Sequence, residues 1–159
     1  MASDSQTTIV SETGVGKYQV EARAGGAAFL IDEPVSAGGL GSGPNPYNLL
    51  SAALGACATM TIRLYANRKG WPLARVTAAV RHVRPSLNAR DTFEIDIALD
   101  GALDAAQRAR LMEIAERCPV HLSLERGSEV RAQLLPPGAA VTPTDSPAHM
   151  VCMEEACAD

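Results

Sequence analysis

Residues 44–70 have the sequence PNPYNLLSAALGACATMTIRLYANRKG, and this stretch decides the fold. Apolar and small residues recur at helical spacing, and nearly every position in residues 49–62 is small or apolar. Asn45 is a candidate N-cap, Pro46 suits the first helical turn, and Gly70 is the expected C-cap. The pattern predicts a long central helix that is buried on most sides.

Alternating strand patterns precede this helix. Residues 18–23 alternate between apolar and polar, Gly25-Gly26 supplies a turn, and residues 29–31 return as a second strand. Together they predict a β-hairpin. Residues 1–15 are rich in Ser, Thr and Gly, and we expect them to form a loose arm or an edge strand.

A second pair of strands is predicted after the central helix, at residues 76–82 and 93–99. Asp104 can cap a following helix that carries Cys118 on its apolar face. Pro119 cannot continue that helix internally, but it can open a new, short one. The alternation of Val130, Ala132 and Leu134 predicts a last strand.

This order of elements predicts an α+β fold with antiparallel sheets, each covered on one face. We expect residues 1–135 to form a single domain and residues 136–159 a Pro/Ala-rich C-terminal tail. A helix that is apolar nearly all round is hard to cover in so small a chain. The sequence therefore favours an obligate homodimer.

The composition limits the possible partners and the compartment. The chain has 159 residues, a formal net charge of −4 and no dense run of Lys or Arg, so we expect no binding to nucleic acid or to a membrane surface. We also expect no stretch of 18 or more apolar residues that could span a membrane, and no signal peptide. These expectations place the chain in the cytoplasm, with its four cysteines reduced.

Two cysteines are candidates for chemistry. Cys57 lies mid-helix among small residues, as a buried small hydrophobe or as a nucleophilic thiol in a tight pocket. Placement in the middle of a helix gives it no help from a helix N-terminus. Cys118 directly precedes Pro119, and a thiolate there would feel the positive end of the short helix. The alternative for Cys118 is a buried core residue.

The histidines and the remaining cysteines are weaker candidates. His82 and His121 are either general bases or hydrogen-bonded structural residues. His149, Cys152 and Cys157 offer three soft ligands, whereas a structural zinc site needs four. We interpret that cluster as a chance arrangement, and we expect neither a metal nor a cofactor.

Five segments resemble the hallmarks of the OsmC/Ohr superfamily, and the similarity extends from about Asp32 to Leu134. The second cysteine motif follows the first in the order that the family has. The segments are GPNPYNLL at 43–50, AALGAC at 52–57, TIRLYA at 61–66, RKG at 68–70 and RCPVH at 117–121.

The resemblance implies an OsmC-like fold in an intertwined homodimer, with active sites built from both subunits. It also implies a thiol-dependent peroxidase that reduces organic hydroperoxides in oxidative-stress defence. In that family the cysteine that matches Cys57 attacks the peroxide and becomes a sulfenic acid, and the one that matches Cys118 resolves it as a disulfide. A dithiol reductant, often lipoyl-linked, restores the enzyme. Local electrostatics alone would favour Cys118 as the thiolate.

The sequence departs from the family at one position. Well-known members carry Glu ten residues before the first cysteine, paired with an Arg that activates the thiolate, and this chain has Tyr47 there. Arg23 is the candidate for that Arg. The match is closest to a branch with Pro-Tyr in this motif. The alternative function is a non-catalytic or differently specific OsmC-like protein that binds an apolar ligand at the dimer cleft.

Overall fold

The computed structural model describes residues 5–158, which form two compact units. The first unit contains the chain up to residue 49 together with residues 129–148. The second contains residues 50–128 together with the C-terminal segment from His149. The first unit contains an antiparallel sheet, and the second combines an antiparallel sheet with most of the helical residues, which confirms the predicted α+β class.

The first unit contains a three-stranded antiparallel sheet in the order β1-β2-β3, with β1 at Ile9–Glu12, β2 at Val20–Ala24 and β3 at Ala27–Ile31. Gly25 and Gly26 adopt positive φ angles of 54° and 75°, which only glycine adopts without strain, and so they make the tight turn. The predicted hairpin is confirmed. The N-terminal arm is expected to form either a loose arm or an edge strand, and β1 is an edge strand. Residues 1–4 of the arm lie outside the described residues.

A buried carboxylate organises the loop between β3 and the central helix. Asp32 accepts hydrogen bonds from the backbone N–H of Glu33 (2.8 Å) and of Leu40 (3.0 Å), and from the hydroxyl of Ser42 (2.8 Å). Burial alone raises the pKa of Asp32, but these hydrogen bonds favour the charged form and lower the pKa below its usual value. The loop that leads to the helix is therefore held by one side chain.

The central helix α1 spans Pro46–Lys69, and its ends confirm the capping predictions. The Asn45 side chain accepts a hydrogen bond of 2.9 Å from the backbone N–H of Asn48. Gly70 follows with a φ of 64°, the left-handed conformation that ends helices.

Only one face of α1 is buried, which is less than the prediction of burial on most sides. From Leu50 to Met60 the exposed residues are apolar or small, and the first charged side chain of the helix is Arg63. The buried residues are Leu54, Gly55, Cys57, Ala58, Thr61, Ile62, Tyr65 and Ala66, and the exposed ones include Leu50, Ala52, Ala53, Ala56 and Met60.

By length and composition, one segment of the described chain, α1, could cross a membrane, which differs from the expectation that no segment could. An 18-residue window of α1 has a mean hydropathy of 1.4, and 44% of it is buried. A core helix of a soluble protein meets the same criterion, so one such helix is weak evidence of a membrane span.

The second unit pairs β4 (Leu73–Val83) with β5 (Thr92–Gly101) in an antiparallel ladder that aligns Val80 with Ile95. Burial alternates along β5 and most of β4, as the sequence pattern predicts. Gly55 of α1 faces this sheet so closely that an added Cβ would lie 3.3 Å from Cγ2 of Val80. The absence of a side chain at Gly55 thus lets the helix approach the sheet two positions before Cys57.

Two further helices follow, α2 at Ala105–Glu116 and α3 at Pro119–Arg126. Asp104 caps α2 through a reciprocal capping box with Gln107, as its position predicts. Cys118 caps α3, with Pro119 in the first turn. The apolar core of the unit joins these helices to α1 and includes Ile62, Tyr65, Leu111 and Ile114.

The C-terminal part of the chain differs from the prediction in two ways. Residues 130–134, all within the described chain, form no strand; Val130 is 88% exposed and Leu134 is 99% exposed. A short helix, α4, spans Ala148–Ala156 in the segment predicted to be a tail. Met153 of α4 and Cys157 directly after it are buried, so this part of the segment packs as structure. The domain boundary at residue 135 stays a prediction.

Candidate active site

Three helices of the second unit meet at the sulfur of Cys57. Cys57 lies on α1 and is 2% exposed, whereas Cys118 caps α3 and is fully buried. Both are free thiols, and the thiol of Cys118 hydrogen-bonds Cys57. The structure therefore brings together the two cysteines that the sequence singled out.

The N-terminus of α3 serves both sulfurs. Pro119 has no N–H, so the first free backbone donors of this helix are those of Val120 and His121. The N–H of Val120 donates to Sγ of Cys57 at 3.4 Å, and that of His121 donates to Sγ of Cys118 at 3.4 Å. The expectation that Cys57 receives no help from a helix N-terminus is wrong, because the donor belongs to a neighbouring helix.

The surroundings give the two thiols opposite acidities. The hydrogen bond from Cys118 lowers the pKa of Cys57 most, burial opposes it, and Val120 and His149 lower the pKa further, to about 5. The same hydrogen bond raises the pKa of Cys118, and burial raises it further. At neutral pH the arrangement favours a thiolate at Cys57 and a protonated thiol at Cys118.

His149 is a site residue that sequence reasoning placed elsewhere. Its Nε2 lies 3.2 Å from Sγ of Cys57, and the imidazole is partly buried in the first turn of α4. The sequence grouped His149 with Cys152 and Cys157 by spacing alone. The only local hint of a function is that His149 is an ionisable residue beside apolar Met150, Val151 and Met153. This pattern does not identify the residue that His149 contacts.

The rest of that cluster separates in the structure. Cys152 is exposed, whereas Cys157 is buried and its S–H donates to the backbone carbonyl of Thr61 at 3.5 Å. Within residues 5–158, no group of three His, Cys, Asp or Glu side chains is arranged to hold a metal ion.

The other two histidines of the sequence analysis, His82 and His121, have different surroundings. His82 hydrogen-bonds Asp91 at 2.7 Å and stacks against Phe93, with ring centroids 4.7 Å apart, which is a structural environment. His121 contributes its backbone N–H to Cys118 and lines a cleft of about 150 Å³. Four apolar side chains line that cleft, Leu54, Phe93, Ile95 and Leu124, beside the polar Arg90, Asp91, His121 and Glu125.

Arg23 and Tyr47 belong to the first unit. Arg23 lies on β2, and its Nε donates to the carboxylate of Glu21 at 2.8 Å. Tyr47 lies in the first turn of α1 and is 36% exposed. The role of Arg23 as the arginine that activates the thiolate stays a prediction.

The comparison with known families agrees with this geometry. The family of OsmC-like proteins matches residues 39–133, which contain both cysteines of the site. No curated protein sequence matches the chain. The chain belongs to the OsmC-like family.

Solved structures show the same fold. A protein of Psychrobacter arcticus 273-4 assigned to osmotic stress induction and detoxification response is 26% identical, with a TM-score of 0.65 over 74% of this chain and 86% of its own. An OsmC organic hydroperoxide resistance protein of Legionella pneumophila is 25% identical, with a TM-score of 0.54 over 78% of this chain and 91% of its own. The organic hydroperoxide resistance protein OhrB of Bacillus subtilis is 18% identical, with a TM-score of 0.53 over 75% of this chain and 89% of its own. These relatives support a redox or stress-response role, and the Pro-Tyr branch stays a prediction.

Proposed function

We propose that this protein is a thiol-dependent peroxidase that reduces organic hydroperoxides in oxidative-stress defence. One observation carries the proposal: the buried sulfur of Cys57 accepts hydrogen bonds from Cys118 and Val120 and contacts His149, and its pKa is lowered to about 5. A thiolate is the nucleophilic form of cysteine, and this site stabilises it at neutral pH.

In the proposed reaction the Cys57 thiolate attacks the distal oxygen of the hydroperoxide. An S–O bond forms, the O–O bond breaks, and the alcohol leaves after its oxygen takes a proton. Cys118 then attacks the sulfenic acid, so that an S–S bond forms, the S–O bond breaks and water leaves. An external dithiol reduces the disulfide by exchange, and a lipoyl-linked dithiol is the reductant that the family resemblance favours.

The acidities of the two thiols support this assignment of roles. Cys118 keeps its proton because burial and its hydrogen bond to Cys57 raise its pKa. It therefore donates to the attacking sulfur and cannot compete as a nucleophile until Cys57 has been oxidised.

We also propose Arg23 as the family's activating arginine. The substitution Arg23→Gln tests this role.

The cleft beside α1 supports an apolar substrate. Leu54 lines it one helical turn before Cys57, together with Phe93, Ile95 and Leu124. Such a lining suits the hydrocarbon part of an organic hydroperoxide better than hydrogen peroxide. The same cleft favours the second candidate function, binding of an apolar ligand without turnover.

We also propose that the protein is a cytoplasmic homodimer. The exposed face of α1 carries Leu50, Ala53, Ala56 and Met60 and no charge, and a second copy of the chain would remove it from water. The four cysteines are free, which suits a reducing compartment.

The test of the function is peptide-resolved trapping with a sulfenic-acid reagent after a pulse of cumene hydroperoxide. Cys118→Ser should accumulate label on Cys57. Cys57→Ser should acquire no label at position 57 or on Cys118. Cys152→Ser serves as the background, because Cys152 is the exposed thiol of the described chain. Label on Cys118 would reverse the roles. A wild type that forms neither label nor disulfide contradicts the peroxidase and leaves the ligand-binding function.

A further inference from the structure

A helix near the C-terminus supplies a side chain to the site. α4 places the imidazole of His149 within 3.2 Å of the Cys57 sulfur, across 92 positions of sequence. His149 lies outside the segment that matches the family, which ends at residue 133. The contact therefore belongs to the part of this chain that family membership does not describe.

Several independent contacts hold α4 in place. Met153 is 5% exposed and Cys157 is 4% exposed, and the S–H of Cys157 donates to Thr61 of α1. Arg68 donates to the backbone carbonyl of Glu154 at 3.2 Å, and Arg117 donates to that of Ala158 at 3.3 Å. The imidazole is thus carried by a packed helix, which makes its distance from Cys57 a property of the fold.

We propose that His149 is the acid–base partner of Cys57: its imidazolium pairs with the resting thiolate and then protonates the leaving oxygen of the substrate. This inference rests on the proposed peroxidase function. In the step, the S–O bond forms as the O–O bond breaks, and the Nε2 proton of His149 passes to the alkoxide to give the alcohol. The imidazole regains its proton from solvent before the next turnover.

The alternatives for the proton donor are weaker. Cys118 is the other acidic group in contact with Cys57, but its hydrogen bond to Cys57 and its burial raise its pKa. The backbone N–H of Val120 can stabilise charge, but an amide is far too weak an acid to transfer its proton. His149 brings an imidazole, the side chain most often used in general acid–base catalysis, into direct contact with the reacting sulfur.

The N-terminus of α4 adds to this setting. His149 lies in the first turn of α4, where the helix end carries about half a positive unit charge spread over several N–H groups. Its Nε2 lies 3.2 Å from Sγ of Cys57, so the positive end of α4 also favours a thiolate there.

The experiment compares His149→Gln, which keeps an N–H donor without the charge, with His149→Phe, which removes both. Val151→Gln is the control, because Val151 is 47% exposed on the same helix. The first measurement is the pH midpoint of Cys57 alkylation by iodoacetamide, resolved by peptide mass spectrometry. The second is the single-turnover rate of Cys57 oxidation by cumene hydroperoxide.

We expect the alkylation midpoint to rise by about 1 pH unit or more in both His149 variants. At neutral pH the oxidation rate should fall at least about tenfold, more than the remaining thiolate fraction explains, because the leaving oxygen loses its acid. Val151→Gln should change neither quantity. If one His149 variant does not fold, the other still gives both measurements.

Folded His149 variants with an unchanged midpoint and an unchanged rate would overturn the proposal. A raised midpoint with a rate that follows the thiolate fraction alone would overturn the proton-delivery step. A wild type that is inert to the hydroperoxide would overturn the peroxidase function instead. In that case the alkylation midpoint still decides whether His149 stabilises the thiolate, because iodoacetamide requires no turnover.

Discussion

The backbone N–H of Val120 donates a hydrogen bond of 3.4 Å to the sulfur of Cys57. This relationship lets one helix stabilise a thiolate on a cysteine that another helix carries. Since α3 begins at Pro119 and Cys118 is its N-cap, the sulfurs of Cys57 and Cys118 share the same positive helix end. The Cys118-Pro119 pair thus places the first N–H donors of α3 beside both sulfurs.

The first prediction concerns the donor that lowers the pKa of Cys57 most. In Cys118→Ala the thiolate loses the S–H that stabilises it, so the pH midpoint of Cys57 alkylation should rise above about 5. In Cys118→Ser a hydroxyl donor remains, and the midpoint should rise less. The measurement is alkylation across a pH series, resolved by peptide. Equal midpoints in Cys118→Ala and the wild type would show that the helix end and His149 suffice.

The second prediction concerns stability and pH. The pKa of Cys57 is about 5 in the folded chain and near 9.0 ordinarily, so the unfolded chain holds the proton more tightly. The thiolate then contributes stability that is fully present above about pH 9 and is lost as the pH falls through about 5. The free energy of unfolding of the reduced wild type, relative to Cys57→Ala, should rise between these values. Urea denaturation at several pH values measures it, and a constant difference would contradict the shift.

Local signals explain how much of the fold was predictable. Asn45, Gly70 and Asp104 lie at helix ends, where capping depends on neighbouring backbone groups and hence on nearby sequence. The Gly25-Gly26 turn is local in the same way. These features place α1, α2 and most strands correctly, because their cause lies within a few residues of their effect.

The features that the sequence could not predict depend on tertiary contacts. Val130 and Leu134 alternate as a strand does, but a strand needs a neighbour to accept its hydrogen bonds, and that neighbour is not encoded locally. The contact of His149 with Cys57 spans 92 positions, and α4 follows a Pro- and Ala-rich stretch with no periodic pattern. Likewise the Cys57 donor belongs to another helix, so spacing around Cys57 does not reveal it.

The third prediction tests the proposed homodimer. Ala56 is exposed on the apolar face of α1, so Ala56→Arg would place an unpaired charge in an interface formed there, at a cost of several kcal/mol. Sedimentation at micromolar concentration should show a dimer for the wild type and a folded monomer for Ala56→Arg. Asn67→Arg, on the exposed polar end of α1, is the control and should stay dimeric. A monomeric wild type at that concentration would contradict the proposal.

A companion substitution separates the interface from the core. Leu54 is 4% exposed and lies on the buried face of the same helix. Leu54→Asp should prevent soluble expression, because a buried and unpaired carboxylate costs several kcal/mol. Soluble, folded Leu54→Asp protein would show that the core tolerates a charge at this position.

The last prediction concerns α4, in the segment that the sequence pattern describes as a dispensable tail. Met153 is 5% exposed, whereas Met150 on the same helix is 41% exposed, so the two positions form a matched pair of equal chemistry. Truncating a buried Met to Ala costs about 2–5 kcal/mol, and the loss is far smaller at an exposed position. For a chain of this size, Met153→Ala should lower the melting temperature by about 5 °C or more, and Met150→Ala by much less. Differential scanning calorimetry of both variants under reducing conditions measures the difference.

Because α4 also carries His149, loosening the helix should raise the pH midpoint of Cys57 alkylation in Met153→Ala, whereas Met150→Ala should keep the wild-type midpoint. Equal melting temperatures and equal midpoints for the two variants would contradict a structural role for residues 148–158. Neither the core nor the Cys57 thiolate would then depend on this segment.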